Sequence, residues 1–452
     1  MVERVRRAFT PFRLPAHAEL SHEARVTFRL DLASNVFRGL FFGIFLLAGI
    51  IAKKALGASH LEVGILAALP SASALFSVYW GHLAHNRRKR PFILWPGVLG
   101  RGLLVATPFV GSSETFVLLA SASFVLASVS VPAQNGIYRL VYPQALRGAI
   151  VGSIRAGFLA GSITAAMTSG VLLDHDASLF RVLLPIAGVF GAASSIVFAM
   201  IPFPDGEPPE RMPPGWREGG PRRALARVRW LSFLPGYPFY LSSIPARLAA
   251  PVRQTLAILR EDKPFARYLL CYFLHGSGNL MMLAINPIFF VETLGLDYSR
   301  GASALVAIPE LLMLLTSGFW GRQLDRMSPY RLNGLLTTIL AGAPLLLAFA
   351  HGPIGAYAGQ IFYGLSMSGL NITWILGVLY FASEAAVPVY LGIHITLTGI
   401  RGLLAPFVAV AVHETLGPRA VYAASFGLIA IAMVLNRVYA RLDPREVEVE
   451  AV

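Results

Sequence analysis

Residues 320–331 read Trp320-Gly321-Arg322-Gln323-Leu324-Asp325-Arg326-Met327-Ser328-Pro329-Tyr330-Arg331, a polar turn set between two long apolar runs. A fainter copy stands upstream, where Ser77-Val78-Tyr79-Trp80-Gly81 echoes Ser317-Gly318-Phe319-Trp320-Gly321 at an offset of 321 − 81 = 240. Gly152 and Gly392, each opening another apolar run, share that offset (392 − 152 = 240). Self-similarity at so long a period means one module of several helices written twice.

Composition says what kind of module. Hydrophobic residues make up 55% of the 452 positions and charged residues 14%, where a soluble domain carries about 25% charged residues. Mean hydropathy is +0.62. Apolar runs of about 20 residues recur from end to end, each long enough to cross ~30 Å of hydrocarbon as a helix. They lack the alternation of barrel strands. The fold class is therefore an all-α membrane protein. Approximate spans fall at 28–52, 61–83, 91–111, 115–141, 147–172 and 180–203, then at 266–291, 299–321, 330–350, 353–382, 389–413 and 418–440.

The net charge of +14 would suit a nucleic-acid binder, but the positive residues gather in alternate loops, as cytoplasmic loops of membrane proteins do. Nucleic acid is not an expected partner; the lipid bilayer is. Arg87 to Arg90, Arg139 with Arg147, and Arg322, Arg326 with Arg331 fall on one side together with both termini. That side is read as cytoplasmic, in a cytoplasmic (inner) membrane. Lys53 and Lys54 run against the rule on the opposite face. Arg4, Arg6 and Arg7 precede no short apolar segment with a cleavage site, so the first span serves as its own insertion signal. Cys271 stands alone in an apolar run, which gives no disulfide framework and reads as a small buried hydrophobe.

The domain reading is a six-helix bundle over 1–203 with a basic lead-in, a cytoplasmic linker over 204–263, and a second six-helix bundle over 264–452. The linker is rich in proline and glycine, then basic at Arg222, Arg223, Arg227 and Arg229. It closes in a short amphipathic stretch, Val252 to Arg260, suited to anionic headgroups.

Six plus six helices, a basic central loop and Gly321-x-x-x-Asp325-Arg326 with Leu324 and Arg331 resemble the major facilitator superfamily across nearly the whole chain. In the first half Gly81 and the basic run fit, while His85 and Asn86 stand where that loop motif has its aspartate and arginine. Tyr142-Pro143, Arg147-Gly148 and Gly152 resemble the family's entry to its fifth helix. The resemblance implies two pseudo-symmetric bundles (the major facilitator fold), a central cavity lined by the first, fourth, seventh and tenth helices, and a gating role for Gly81, Arg147, Gly321, Asp325, Arg326 and Arg331. Asp325 would face the start of the fifth helix, where unpaired N–H groups carry partial positive charge. Gly321 would permit close helix approach, and Gly152, Gly157 and Gly161 would do so at the interface between halves.

Polar residues concentrate on the helices so assigned: Asp31, Asn35 and Arg38 on one face of the first, Asn135 on the fourth, Asn279 on the seventh, Asn371 and Trp374 on the tenth. The third, sixth, ninth and twelfth are almost wholly apolar, Arg101 excepted. Arg38, Arg155, Glu310 and Arg401 lie roughly 14, 12, 16 and 18 Å in from the cytoplasmic helix ends at ~1.5 Å per residue. They form one layer near the midplane, where secondary transporters hold substrate. Charge there is expensive, so such residues face protein or a wet cavity. The fifth and eighth helices adjoin in this family, which brings Arg155 toward Glu310 either as a structural ion pair or as one that opens on substrate or proton binding. Three arginines against one glutamate favour an anionic or zwitterionic solute. The other reading of Arg38 and Arg401 is that they satisfy backbone carbonyls near helix breaks.

The functional expectation is a monomeric secondary transporter working by alternating access, with a small-molecule substrate and the proton as coupling ion. Drug efflux by proton antiport and lipid or lysolipid translocation are the alternatives. Catalysis and cofactors are not expected: Gly417 stands where a metalloprotease helix opened by His413-Glu414 would place its second histidine, and no Gly-Lys-Ser/Thr phosphate loop is present.

Overall fold

The computed structural model describes residues 22–75, 80, 89–134, 147–202, 255–324, 326–383 and 386–442, with their side chains except at 74, 147–149, 375 and 388. No strand occurs among them. The first six helices are α1 (His22–Phe45, resuming as Ala48–Leu56), α2 (His60–Leu75), α3 (Lys89–Gly102, drawn out as a tighter stretch Leu103–Phe109), α4 (Ser113–Ser128), α5 (Arg147–His175) and α6 (Phe180–Ala199). The second six are α7 (Lys263–Ile288), α8 (Tyr298–Leu324), α9 (Pro329–Ala348), α10 (Pro353–Leu379), α11 (Val387–Leu416) and α12 (Pro418–Leu442). Among the described residues eleven helical stretches are long and apolar enough to cross a membrane. The twelfth helix, α2, runs up to residues outside the described set. Of the linker expected over 204–263, residues 255–263 are described: 255–261 are helical, and Asp262 caps α7, which opens at Lys263.

The repeat read from the sequence is a repeat of packing. In the first half α1 packs on α5 and α6, α3 on α4 and α6, and α2 on α4. In the second half α7 packs on α11 and α12, α9 on α10 and α12, and α8 on α10, so every one of these pairings recurs six helices later. The seams between the halves repeat too: α2 meets α11, and α5 meets α8.

Small residues set how closely the helices of a half approach. A Cβ on Gly39 or Gly43 of α1 would run into the backbone carbonyls of Phe158 and Ser162 on α5. Without a hydrophobic driving force between helices in lipid, such close backbone contact supplies the association. Gly157 and Gly161 answer from α5, against Leu32 and Val36 of α1. Those glycines therefore tighten the first bundle rather than the interface between halves. Large apolar side chains stay exposed on the outer helices, Val182, Ile186, Val189 and Ile196 on α6 and Ile431, Val434 and Val438 on α12 among them, and these stripes face hydrocarbon.

The halves are pinned together where α5 ends and α8 begins. Asp174 accepts hydrogen bonds from the backbone N–H groups of Tyr298 (2.6 Å) and Ser299 (3.0 Å), which are orphan donors at the start of α8. Lys54 donates to the Leu296 carbonyl (3.0 Å) and lies 4.5 Å from the Tyr298 ring. Lys53 pairs with Glu292 at 2.6 Å. These two lysines, which run against the positive-inside pattern, are held by the opposite half. At the other end of α5 and α8 a Cβ on Gly152 or Gly321 would meet none of the described residues within 4 Å. Among the described residues no close helix approach occurs at Gly321 or Gly152, and the seam is tight at Gly170, against Ser299 and Ala302.

Candidate functional site

Arg155 and Glu310 meet across the α5–α8 seam. Glu310 is buried at 8% exposure, and the groups of α5 that act on it electrostatically are Ser162 and Arg155. Its Oε2 and the Ser162 hydroxyl are both buried without a hydrogen bond, so the carboxylate stops short of bonding. No ion pair within 4.0 Å joins Glu310 to Arg155. Tyr363 on α10 is a further neighbour of Glu310. A carboxylate held this deep with an unsatisfied oxygen is costly unless something else neutralises it.

On the first half, Phe158 supports two cations at once. The Arg155 guanidinium lies 4.8 Å and the Arg38 guanidinium 5.3 Å from its ring centroid. An aromatic face attracts cations, so one ring steadies two like charges side by side. Arg155 keeps an exposed side chain. Arg38 has a buried Nε without a partner. Arg101 stands behind them over Phe41 (4.1 Å) and Phe124 (4.8 Å). Phe158 was not singled out from sequence, because a phenylalanine in an apolar helix carries no mark of what sits on it.

Arg401 is placed differently. It is buried between α11 and α7, donates to the Tyr272 carbonyl and lies against Gly276. Its Nε remains buried without a partner. His275 and His394 are its electrostatic neighbours. Of the two readings of Arg401, backbone satisfaction is the contact present.

The remaining sequence-derived residues fall as follows. Asn35 is buried and bonds back to Asp31, through its carbonyl (3.0 Å) and its carboxylate (2.8 Å). Asn279 is buried with Oδ1 unpartnered. Asn371 is exposed, its amide 3.8 Å from the Met313 sulfur. Trp374 donates to the Thr398 hydroxyl at 3.3 Å and packs on His394. Among the gating residues, Arg326 and Arg331 lie at the turn into α9, where the Ser328 hydroxyl caps the helix by accepting from the Arg331 N–H (3.3 Å). Arg147 opens α5. Asn135, Gly81, Asp325 and the Arg147 side chain lie outside the described residues. The structure thus brings together Arg38, Arg155 and Glu310, and sets Arg401, Asn279 and Trp374 inside the second half.

Solved structures share this architecture. A peptide transporter POT in complex with sulfate superimposes with a TM-score of 0.70 at 14% identity, covering 93% of this chain and 95% of that one. A POT family transporter in complex with 5-aminolevulinic acid gives 0.70 at 14% identity, over 97% and 99%. The nucleoside transporter NupG gives 0.66 at 15% identity, over 92% and 99%. No curated protein sequence matches significantly. The family model of the Major Facilitator Superfamily matches residues 32–400 and again 268–451. With twelve helices in two repeated sets of six and that match over most of its length, the chain belongs to the Major Facilitator Superfamily and is a membrane transporter.

Proposed function

We propose that the protein is a proton-coupled carrier of a small anionic or zwitterionic solute, and that Arg38 and Arg155 bind its anionic group opposite Glu310. The observation that carries this reading is the incomplete pairing of Arg155 with Glu310. A structural ion pair would be closed; here Arg155 and the buried carboxylate of Glu310 influence each other across the seam between the halves without an ion pair between them. An anion seated on the two arginines competes with Glu310 for Arg155, and a proton on Glu310 removes the competitor. Substrate and proton binding are then linked through one guanidinium. Arg presents a fork that matches carboxylate or phosphate, which suits such a solute. The solved relatives hold a sulfate and a 5-aminolevulinic acid, an anion and a zwitterion of this general kind.

Alternating access follows from the seams. The Asp174 end is shut by hydrogen bonds and ion pairs, while at the other end Gly152 and Gly321 have no close neighbour among the described residues. Reading the basic loops and both termini as cytoplasmic, we take this arrangement as the inward-facing form of an inner-membrane carrier. The loop motif around Asp325 would then latch the cytoplasmic side in the outward-facing form.

A thermal-shift screen of carboxylates, amino acids, short peptides and organic cations on purified protein, followed by uptake into vesicles, tests the reading. Anions or zwitterions are expected to stabilise the wild type and to lose this effect in Arg155→Ala. Stabilisation by cations alone overturns it.

A further inference from the structure

At the shut end, two histidines and two glutamates from both halves converge. His60 opens α2; Glu292 follows α7, and His413 and Glu414 lie in the last turn of α11. Nε2 of His60 is 3.1 Å from Glu292 Oε2, and its Nδ1 is 2.5 Å from Glu414 Oε1. The His413 ring stands nearly perpendicular to that of His60, with centroids 4.4 Å apart. One ligand atom each from His60, Glu292 and His413 lies within 4.8 Å of the others. Nδ1 of His413 is buried and has no hydrogen-bond partner.

We propose that His60, Glu292 and His413 form a zinc site that bridges the two halves and holds this end shut. The donor set is two imidazoles and one carboxylate with a fourth position open to water, which suits Zn²⁺. Tetrahedral Zn²⁺ with bonds of about 2.0–2.2 Å spaces its ligand atoms about 3.3 Å apart. The His60 to Glu292 edge already has nearly that length, so the ion needs only to draw His413 inward. Glu414 takes the part of the outer carboxylate: by accepting from Nδ1 it keeps that nitrogen protonated, so the proton that His60 gives up on metal binding leaves from Nε2. Lys53 opposes the site, since its ammonium sits on the other oxygen of Glu292 at 2.6 Å and repels a dication.

The ligands come from α2 on one side and from α7 and α11 on the other, so they can meet around one ion only while this end is closed. Zinc therefore selects the closed form. The metal site stands on geometry alone, whereas its effect on motion rests on the alternating access proposed above.

Calorimetric titration of ZnCl₂ into the purified full-length protein is expected to show one site, with MgCl₂ giving none. His413→Gln and His60→Ala should abolish it. Glu414→Gln, at an exposed position, should weaken it by about 10–100-fold, and Lys53→Met should tighten it severalfold. A wild type and His413→Gln that bind alike, or a Lys53→Met that binds more weakly, overturns the site. For the closure, Met167→Cys is introduced in a Cys271→Ser background and labelled with a water-soluble maleimide. Zinc should slow labelling, and should not do so when His413→Gln is added. Stoichiometric zinc binding with labelling unchanged would leave the site standing and refute the closure.

Discussion

The guanidinium of Arg401 on α11 lies against Gly276 on α7 and donates to the carbonyl of Tyr272. The repeat explains why it fits. Arg401 stands at the position of Gly161 (401 − 161 = 240), and Gly276 at that of Val36 (276 − 36 = 240). In the first half Gly161 packs on the backbone at Val36. In the second the small residue has moved to α7 and the large one to α11, so the same seam holds a buried cation.

Gly276→Ala should therefore displace Arg401 and destabilise the second bundle by about 1–3 kcal/mol, the usual cost of overpacking. Thermal unfolding in detergent measures this. Because the two residues are in contact, the loss should be non-additive with Arg401→Met; additive losses would mean that the contact carries no energy.

Phe158→Leu removes the ring beneath Arg38 and Arg155. Each cation–π contact is worth about 0.5–2 kcal/mol, so ligand affinity by thermal shift should fall roughly tenfold. Phe158→Tyr, which keeps the ring face, should stay near wild type. Equal losses in both variants would point to packing rather than to the arginines.

Asp174→Asn weakens the clasp on the first N–H groups of α8. A carboxylate at a helix N-terminus contributes about 0.3–1 kcal/mol, and loss of the charged acceptor should raise the population open at this end severalfold. Spin labels on Leu172 and Arg300, both exposed, should report a longer distance component in the variant. An unchanged distribution would place the clasp elsewhere.

These residues also show where sequence reading succeeds. Arg155 and Glu310 were legible because a charge in a long apolar run is expensive, and counting at a fixed helical rise puts them at one depth. The glycines of α5 were legible as small residues but not by partner: a helix exposes several faces, and the sequence does not say that Gly157 and Gly161 turn to α1. The zinc cluster was illegible for a different reason. Residues 60, 292 and 413 share no local spacing, and His413-Glu414 alone invites comparison with a helical motif that Gly417 breaks. Lys53 and Lys54 looked misplaced until Glu292 and Leu296 supplied their partners.

The most direct test concerns Glu310 as the proton carrier. Vesicles containing wild-type protein or Glu310→Gln are loaded with the ligand found by thermal shift, and exchange is measured without a gradient. Accumulation is then measured in empty vesicles under an inward proton gradient. Glu310→Gln is expected to exchange ligand at a rate comparable to wild type yet to accumulate none. Accumulation by Glu310→Gln to the wild-type level would contradict that role.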